Sequence, residues 1–317
     1  MRAAVLSHAA LAAVDSTRPP WPGQPVQLGD GATFVRSTPG GPGAEPTLYI
    51  HGLGGSSTNW TDLSALLSPW LDGDAMDLPG FGRSDPAPRG GYTLAALSRR
   101  AGQLIEHRNR GPVHLFGNSL GGAVSVHLAA TRPELVRTLT LVSPAMPDLR
   151  PRRGSDPLLP LLVFPGASAI AERRLLRMNP RERAQAVVDL CFANPGVVPE
   201  NRMAEAEAEV ERRNQLPYAM DAFVRTLRGL IGSYLAPGSG SLWRAASRIQ
   251  APTLVIWGRQ DRVVDASLAP RLARIIPNSR LLLLDQVGHT AQLEKPATVA
   301  RAVLGMFEET AEEASAS

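Results

Sequence analysis

One cysteine and one lysine occur in 317 residues. The single thiol, Cys191, excludes an intramolecular disulfide and a cysteine-built metal site. It lies in the apolar run "VVDLCFANP" and reads as a small core residue rather than a nucleophile. With Lys295 the only lysine, nearly all positive charge is arginine, and the formal net charge is only +4. The arginines are interspersed with glutamates, as in "AERRLLRMNPRERA", and no basic block is interleaved with aromatics. Nucleic-acid binding is therefore not expected. No uninterrupted apolar run reaches the roughly 18 residues that a membrane span needs. The first residues, "MRAAVLSHAALAAVDS", imitate a signal peptide only loosely, because Ser7 and His8 interrupt them and a leucine-rich block is missing. A cytoplasmic location is expected. The last ten residues, "EETAEEASAS", read as a small acidic tail, frayed and solvated.

What the chain does have is enough apolar content, 44%, to bury a sizeable core. Residues 1–30 read as an irregular lead-in, rich in Pro and Gly from residue 16 onward. Strand and helix then alternate. Strands are expected at 32–36, 46–52, around 75–77, 112–117 and 136–144, and helices at 56–71, 93–108 and 119–133. From 145 to 250 no strand pattern is visible; helices are expected at 180–192, 200–214 and 217–235, the first opened by an Asn179–Pro180 cap. The alternation resumes with strands at 252–258 and 280–289 and helices at 268–277 and 296–309. The expected fold class is α/β: a mostly parallel central sheet with helices on both faces, formed by 31–144 and 251–312, with a helical cap inserted at 145–250.

Three glycines crowd around one serine in "HLFGNSLGGAV". Gly117, Ser119 and Gly121 make a G-x-S-x-G pattern at a strand end and a helix start, where a sharp turn presents a hydroxyl. The absent Cβ atoms let neighbouring backbone pass close to the turn. A serine hydroxyl needs a base. Of six histidines, His289 fits best, following the last strand in "QVGHTAQLEKP". His107, His114 and His127 fall inside elements and read as structural or surface residues; His8 lies in the lead-in. The imidazole needs a carboxylate partner. Asp261, just past a strand end in "LVIWGRQDRVV", is the first choice and Asp265 the fallback; Asp148 and Asp285 are placed less well. Oxyanion donors are expected at the N–H groups of Leu53, in "HGLGGSS", and Leu120, with Gly54 as the alternative to Leu53. His51 reads as an organiser of that loop, and "DLPGFGRS" as a structural turn beside the pocket.

These motifs, "HGLGG", "DLPGFGRS", "GNSLGG", "WGRQDRVV" and "VGHTAQLEKP", occur in the order found in the α/β-hydrolase fold family, which the chain resembles from about residue 32 to 310. The resemblance implies Ser119 as nucleophile, Asp261 as acid, His289 as base and Leu53 and Leu120 as oxyanion donors, with no metal or organic cofactor. "GNSLGG" and "GHTAQLEKP" are also similar to the carbon–carbon bond hydrolases of meta-cleavage products. In that group a Trp typically follows the catalytic His, and here Thr290 does. The expected activity is hydrolysis of a carboxylic ester or similar acyl bond of a small, largely hydrophobic substrate. Carbon–carbon hydrolysis and a receptor-like binding module with little turnover are the alternatives. The apolar cap stretches "LLPLLVF" and "AFVRTLRGLIGSYL" fit either a hydrophobic substrate group or packing of the cap onto the sheet.

Overall fold

The structure, a computed structural model, describes residues 1–88, 90–148, 177–236 and 238–315. Nine strands form one sheet: β1 (Arg2–Ala3), β2 (Gly23–Leu28), β3 (Gly31–Thr38), β4 (Glu45–Ile50), β5 (Leu71–Met76), β6 (Val113–Asn118), β7 (Val136–Val142), β8 (Thr253–Gly258) and β9 (Ser279–Leu284). Their spatial order is β1-β9-β8-β7-β6-β4-β5-β3-β2. All pairs from β1 to β5 are parallel; β3 runs antiparallel to β5, and β2 antiparallel to β3. Parallel strands need crossovers, supplied here by α1 (Thr61–Leu67), α2 (Leu94–Arg108), α3 (Leu120–Thr131) and, late in the chain, α8 (Ala269–Ile275). Between β7 and β8 lie α4 (Pro180–Cys191), α5 (Glu200–Asn214), α6 (Ala219–Tyr234) and α7 (Leu242–Ala246); α9 (Ala291–Glu294) and α10 (Pro296–Ser315) close the chain.

The central strands are buried on both sides, β6 and β8 along their whole length. Their side chains alternate between two cores, as the two-residue period of a strand requires. Leu48, Ile50, Leu115, Leu139, Leu141, Val255 and Trp257 face α2, α3, α7 and α8. Tyr49, Phe116, Val142, Leu254 and Ile256 face α1 and α10. Each such fully buried side chain is worth about 1.5–3 kcal/mol. That total is what can hold strained backbone at the strand ends.

Three expectations are corrected. The lead-in contains two strands: β1 pairs with β9, and β2 pairs with β3 along its length, where Pro25, which has no N–H to donate, is tolerated because β2 is the edge. The helix expected over 56–71 is shorter. Ser57–Trp60 is a 3₁₀ turn, α1 stops at Leu67, and Trp70 precedes β5 directly. The acidic tail is helical to Ser315, because Arg280, fully buried on β9, is held by Glu309 at 2.7 Å and Glu313 at 3.4 Å, and Glu313 also pairs with Arg2.

In the inserted region α4 and α5 share a small core of Ala184, Val188, Phe192 and Met203. Asn179 caps α4 as expected, accepting from Glu182 N–H while Glu182 caps in return. Much of "AFVRTLRGLIGSYL" packs onto the sheet domain, with Ala222, Val224, Leu227 and Leu230 buried. The stretch "LLPLLVF" lies outside the described residues. Arg202 on α5 ties the insertion down. It pairs with Asp62 on α1 at 2.5 Å and donates to the Arg18 carbonyl at 2.9 Å.

Candidate active site

The carboxyl ends of β4, β6, β8 and β9 point to the same edge of the sheet, because these strands are parallel. The loops that follow them carry Leu53, Ser119, Asp261 and His289. The parallel pairing of these strands therefore delivers four distant segments to one end of the sheet.

Ser119 sits between β6 and α3 with φ 53° and ψ −116°, a conformation non-glycine residues rarely adopt. Such a residue costs about 1–3 kcal/mol and persists only where its surroundings over-determine it. They do so here. Ser119 N–H donates to the Val142 carbonyl at 3.1 Å, and the Ser119 carbonyl accepts from Ala123 at 3.0 Å and Ala145 at 2.8 Å. A Cβ on Gly117 would strike the Gly121 carbonyl, and one on Gly121 would strike the carbonyls of Ile50 and His51. Gly122 faces Pro144, past the end of β7, where a Cβ would come within 2.6 Å. Leu120 opens α3, so its N–H has no acceptor within the helix.

His289 Nδ1 lies 2.9 Å from Asp261 Oδ2, and both side chains are almost completely buried. The other carboxylate oxygen accepts the N–H groups of Val263 at 2.8 Å and Val264 at 2.9 Å. Burial pushes the Asp261 carboxyl up, but His289 and the two amides outweigh it and hold the carboxyl below its ordinary value. The two loops are laced together. Gln260 N–H donates to the Val287 carbonyl at 3.0 Å, and a Cβ on Gly258 would strike the carbonyls of Val287 and Gly288. The other acids are engaged elsewhere: Asp265 accepts from Ser267 N–H at 2.8 Å in a turn, and Asp285 pairs with Arg259 on the exposed surface.

The loop after β4 lies against the Ser119 turn; a Cβ on Gly52 would come 3.1 Å from Ser119 Cβ. His51 organises this loop. Its Nε2 accepts the Leu78 N–H at 2.9 Å, so the Nδ1, 2.7 Å from the Gly52 carbonyl, must be the protonated nitrogen. Asp77 completes the brace, its two oxygens accepting from Ser57 N–H at 2.6 Å and Arg83 N–H at 2.8 Å. Thus "DLPGFGRS" is the structural turn the sequence indicated. His114 is likewise structural, bonded to Thr138 at 2.8 Å and Glu45 at 2.6 Å. Burial, with Asp261 and Glu294 nearby, pushes the Cys191 thiol up to about 12, which disfavours the reactive thiolate.

Three contributors were not singled out from sequence. Asn118 donates from one amide nitrogen to the Val142 carbonyl at 3.0 Å and the His289 carbonyl at 3.2 Å, joining the serine turn to the histidine loop. Arg213 on α5 donates to the Gly54 carbonyl at 2.9 Å. Glu294 accepts from Gly288 N–H at 2.7 Å and Ala193 N–H at 2.9 Å. Glu294 had one signal, an acid five residues past the histidine, but its second partner is 101 residues away. Among the described residues no three His, Cys, Asp or Glu side chains are grouped to hold a metal ion.

The model of the alpha/beta hydrolase fold family matches residues 46–296. A 2-hydroxy-6-oxononadienedioate/2-hydroxy-6-oxononatrienedioate hydrolase of Cupriavidus pinatubonensis is 27% identical over 278 residues, covering 85% of this chain and 89% of its own. The human monoacylglycerol lipase ABHD6 is 29% identical over 274 residues, covering 86% and 78%. The crystal structure of a putative lipase from Acinetobacter baumannii superposes with a TM-score of 0.73 over 93% of both chains at 22% identity. The chain belongs to the α/β-hydrolase fold family.

Proposed function

We propose that the protein is a serine hydrolase that cleaves a carboxylic ester or similar acyl bond of a small, largely hydrophobic molecule. The observation that carries this is the buried His289–Asp261 bond at the same sheet edge as a serine held at φ 53°. Ser119 Oγ attacks the carbonyl carbon while His289 takes its proton through Nε2, the nitrogen not bonded to Asp261. Asp261 holds the tautomer and stabilises the imidazolium. The N–H groups of Leu53 and Leu120 receive the oxyanion. As the tetrahedral intermediate collapses, His289 returns the proton to the leaving alcohol. Water, deprotonated by His289, then attacks the acyl-enzyme, releasing the acid and regenerating Ser119.

A fluorophosphonate probe tests this directly. The wild-type protein is expected to be labelled and Ser119→Ala to remain unlabelled; equal labelling of both sinks the assignment. Asp261→Asn is expected to lower kcat by about four orders of magnitude, because the imidazole is then held in the wrong tautomer.

A second reading keeps the same residues and changes the bond to the carbon–carbon bond of a vinylogous diketone. The Cupriavidus relative's named activity and the "GNSLGG" turn favour it; the lipase relative favours the ester. Side-by-side turnover of p-nitrophenyl esters of graded acyl length and of a meta-cleavage chromophore separates the two. Tight ligand binding without turnover of either would point to the receptor-like module instead.

A further inference from the structure

We propose that Glu294 is a positioning residue: its carboxylate ties the loop carrying His289 to the C-terminal end of α4, so that seating of the inserted helices and alignment of the imidazole are set together. This rests on the reading of His289 as the base.

The tie is built from groups that would otherwise be orphaned. The last carbonyls of a helix have no intrahelical donor. The carbonyl of Cys191, the final residue of α4, accepts the His289 N–H at 2.6 Å. The chain then leaves the helix, and Ala193 N–H turns to Glu294 Oε2 at 2.9 Å. Glu294 Oε1 takes the Gly288 N–H at 2.7 Å. One carboxylate, only 9% exposed, thus bridges the residue before His289 and the residue two past the end of α4. The fit is close. A Cβ on Gly288 would strike the Cys191 carbonyl and stand 2.8 Å from Ala193 N, so only glycine lets the two backbones meet. A carboxylate suits the position because both of its oxygens accept, whereas an amide has one acceptor and turns its NH₂ toward an N–H. The charged groups near it are Lys295 on its own segment and, acting like it on the Cys191 thiol, Asp261.

The substitution that isolates this role is Glu294→Gln, which keeps size and shape and removes one of the two bonds. Glu294→Ala, which removes both, is the stronger variant. In Glu294→Gln, hydrogen exchange at one of the Gly288 and Ala193 amides is expected to quicken, at both in Glu294→Ala, and the downfield resonance of the His289 Nδ1 proton to move. With an ester substrate, kcat is expected to fall about tenfold with KM changed less than about twofold, and the acid limb of the kcat/KM profile to shift. Unchanged amide exchange or an unmoved His289 resonance overturns the proposal, as does a loss confined to KM. The two spectroscopic readings need no turnover. If wild-type protein fails to label at Ser119 the hydrolase reading fails, whereas failure of the tie appears only in the comparison of Glu294→Gln with wild type.

Discussion

His51 shows how much one buried side chain can decide. Its neutral ring accepts from Leu78 and donates to Gly52, so a second proton would break the first bond. Burial pushes His51 below its ordinary value, and the same cause, aided by nearby arginines at His127, acts on His114 and His127. An unfolded chain gains protons at all three below about pH 6.5, while the folded chain resists them. Stability from this source is therefore complete above about pH 6.5 and is lost as pH falls toward the folded-state values. Urea midpoints measured from pH 7.5 to 5.5 are expected to fall, and His127→Gln is expected to flatten the slope. A wild-type midpoint that stays level across this range contradicts the argument. Asp261 adds a separate loss at lower pH, since its carboxyl is held below its ordinary value in the folded chain.

Among the elements, α10 departs most from what its sequence indicates. "EETAEEASAS" has the composition of a solvated tail. It is helical to Ser315 because Arg280 emerges from β9 beneath it with no exposed surface of its own. A guanidinium cannot shed its charge, so its partners must come to it. Removing one partner of a buried pair leaves the other charge unpaired, a cost of about 3–5 kcal/mol when both are fully buried. Glu309 is 23% exposed and Arg280 keeps Glu313 and Asn278, so Glu309→Ala is expected to cost about 2–3 kcal/mol, below that range. Thermal melts check this; a change within about 0.5 kcal/mol would place the pair among ordinary surface contacts. The short β2 has a similar history. Its alternation is weak and Pro25 argues against a central strand, but pairing with β3 along one edge needs neither.

At the scale of the whole molecule, the described inserted helices are fastened to the sheet domain both by apolar contacts of α6 and α7 and by polar bonds. Arg202 makes two of them, to Asp62 and the Arg18 carbonyl, and Arg213 reaches the Gly54 carbonyl in the loop after β4. Arg202→Ala is therefore expected to loosen α5 without unfolding the sheet. Limited proteolysis should cut within 177–236 faster than in wild type, while the main thermal transition moves by less than about 3 °C. Cutting at the wild-type rate would show that the Arg202 bonds do not seat the insertion.

The order of elements was legible because it is written in local periodicity: buried parallel strands ending in glycine, and helices with a stripe every three to four residues. The serine turn was legible for the same reason, since Gly117, Ser119 and Gly121 are neighbours in the chain and their backbone demands are local. His289 and Asp261 could be singled out because each follows a strand whose direction the alternation implies. The sequence ranked Asp261 above Asp265 without excluding it; the contact of Asp261 with the imidazole depends on how the loops after β8 and β9 lace at Gly258 and Val287. The tertiary structure alone brought Glu294 to Ala193, Arg280 to Glu309 and β2 to the sheet edge. These are pairings between segments far apart in the chain, and no periodicity within either segment encodes the other.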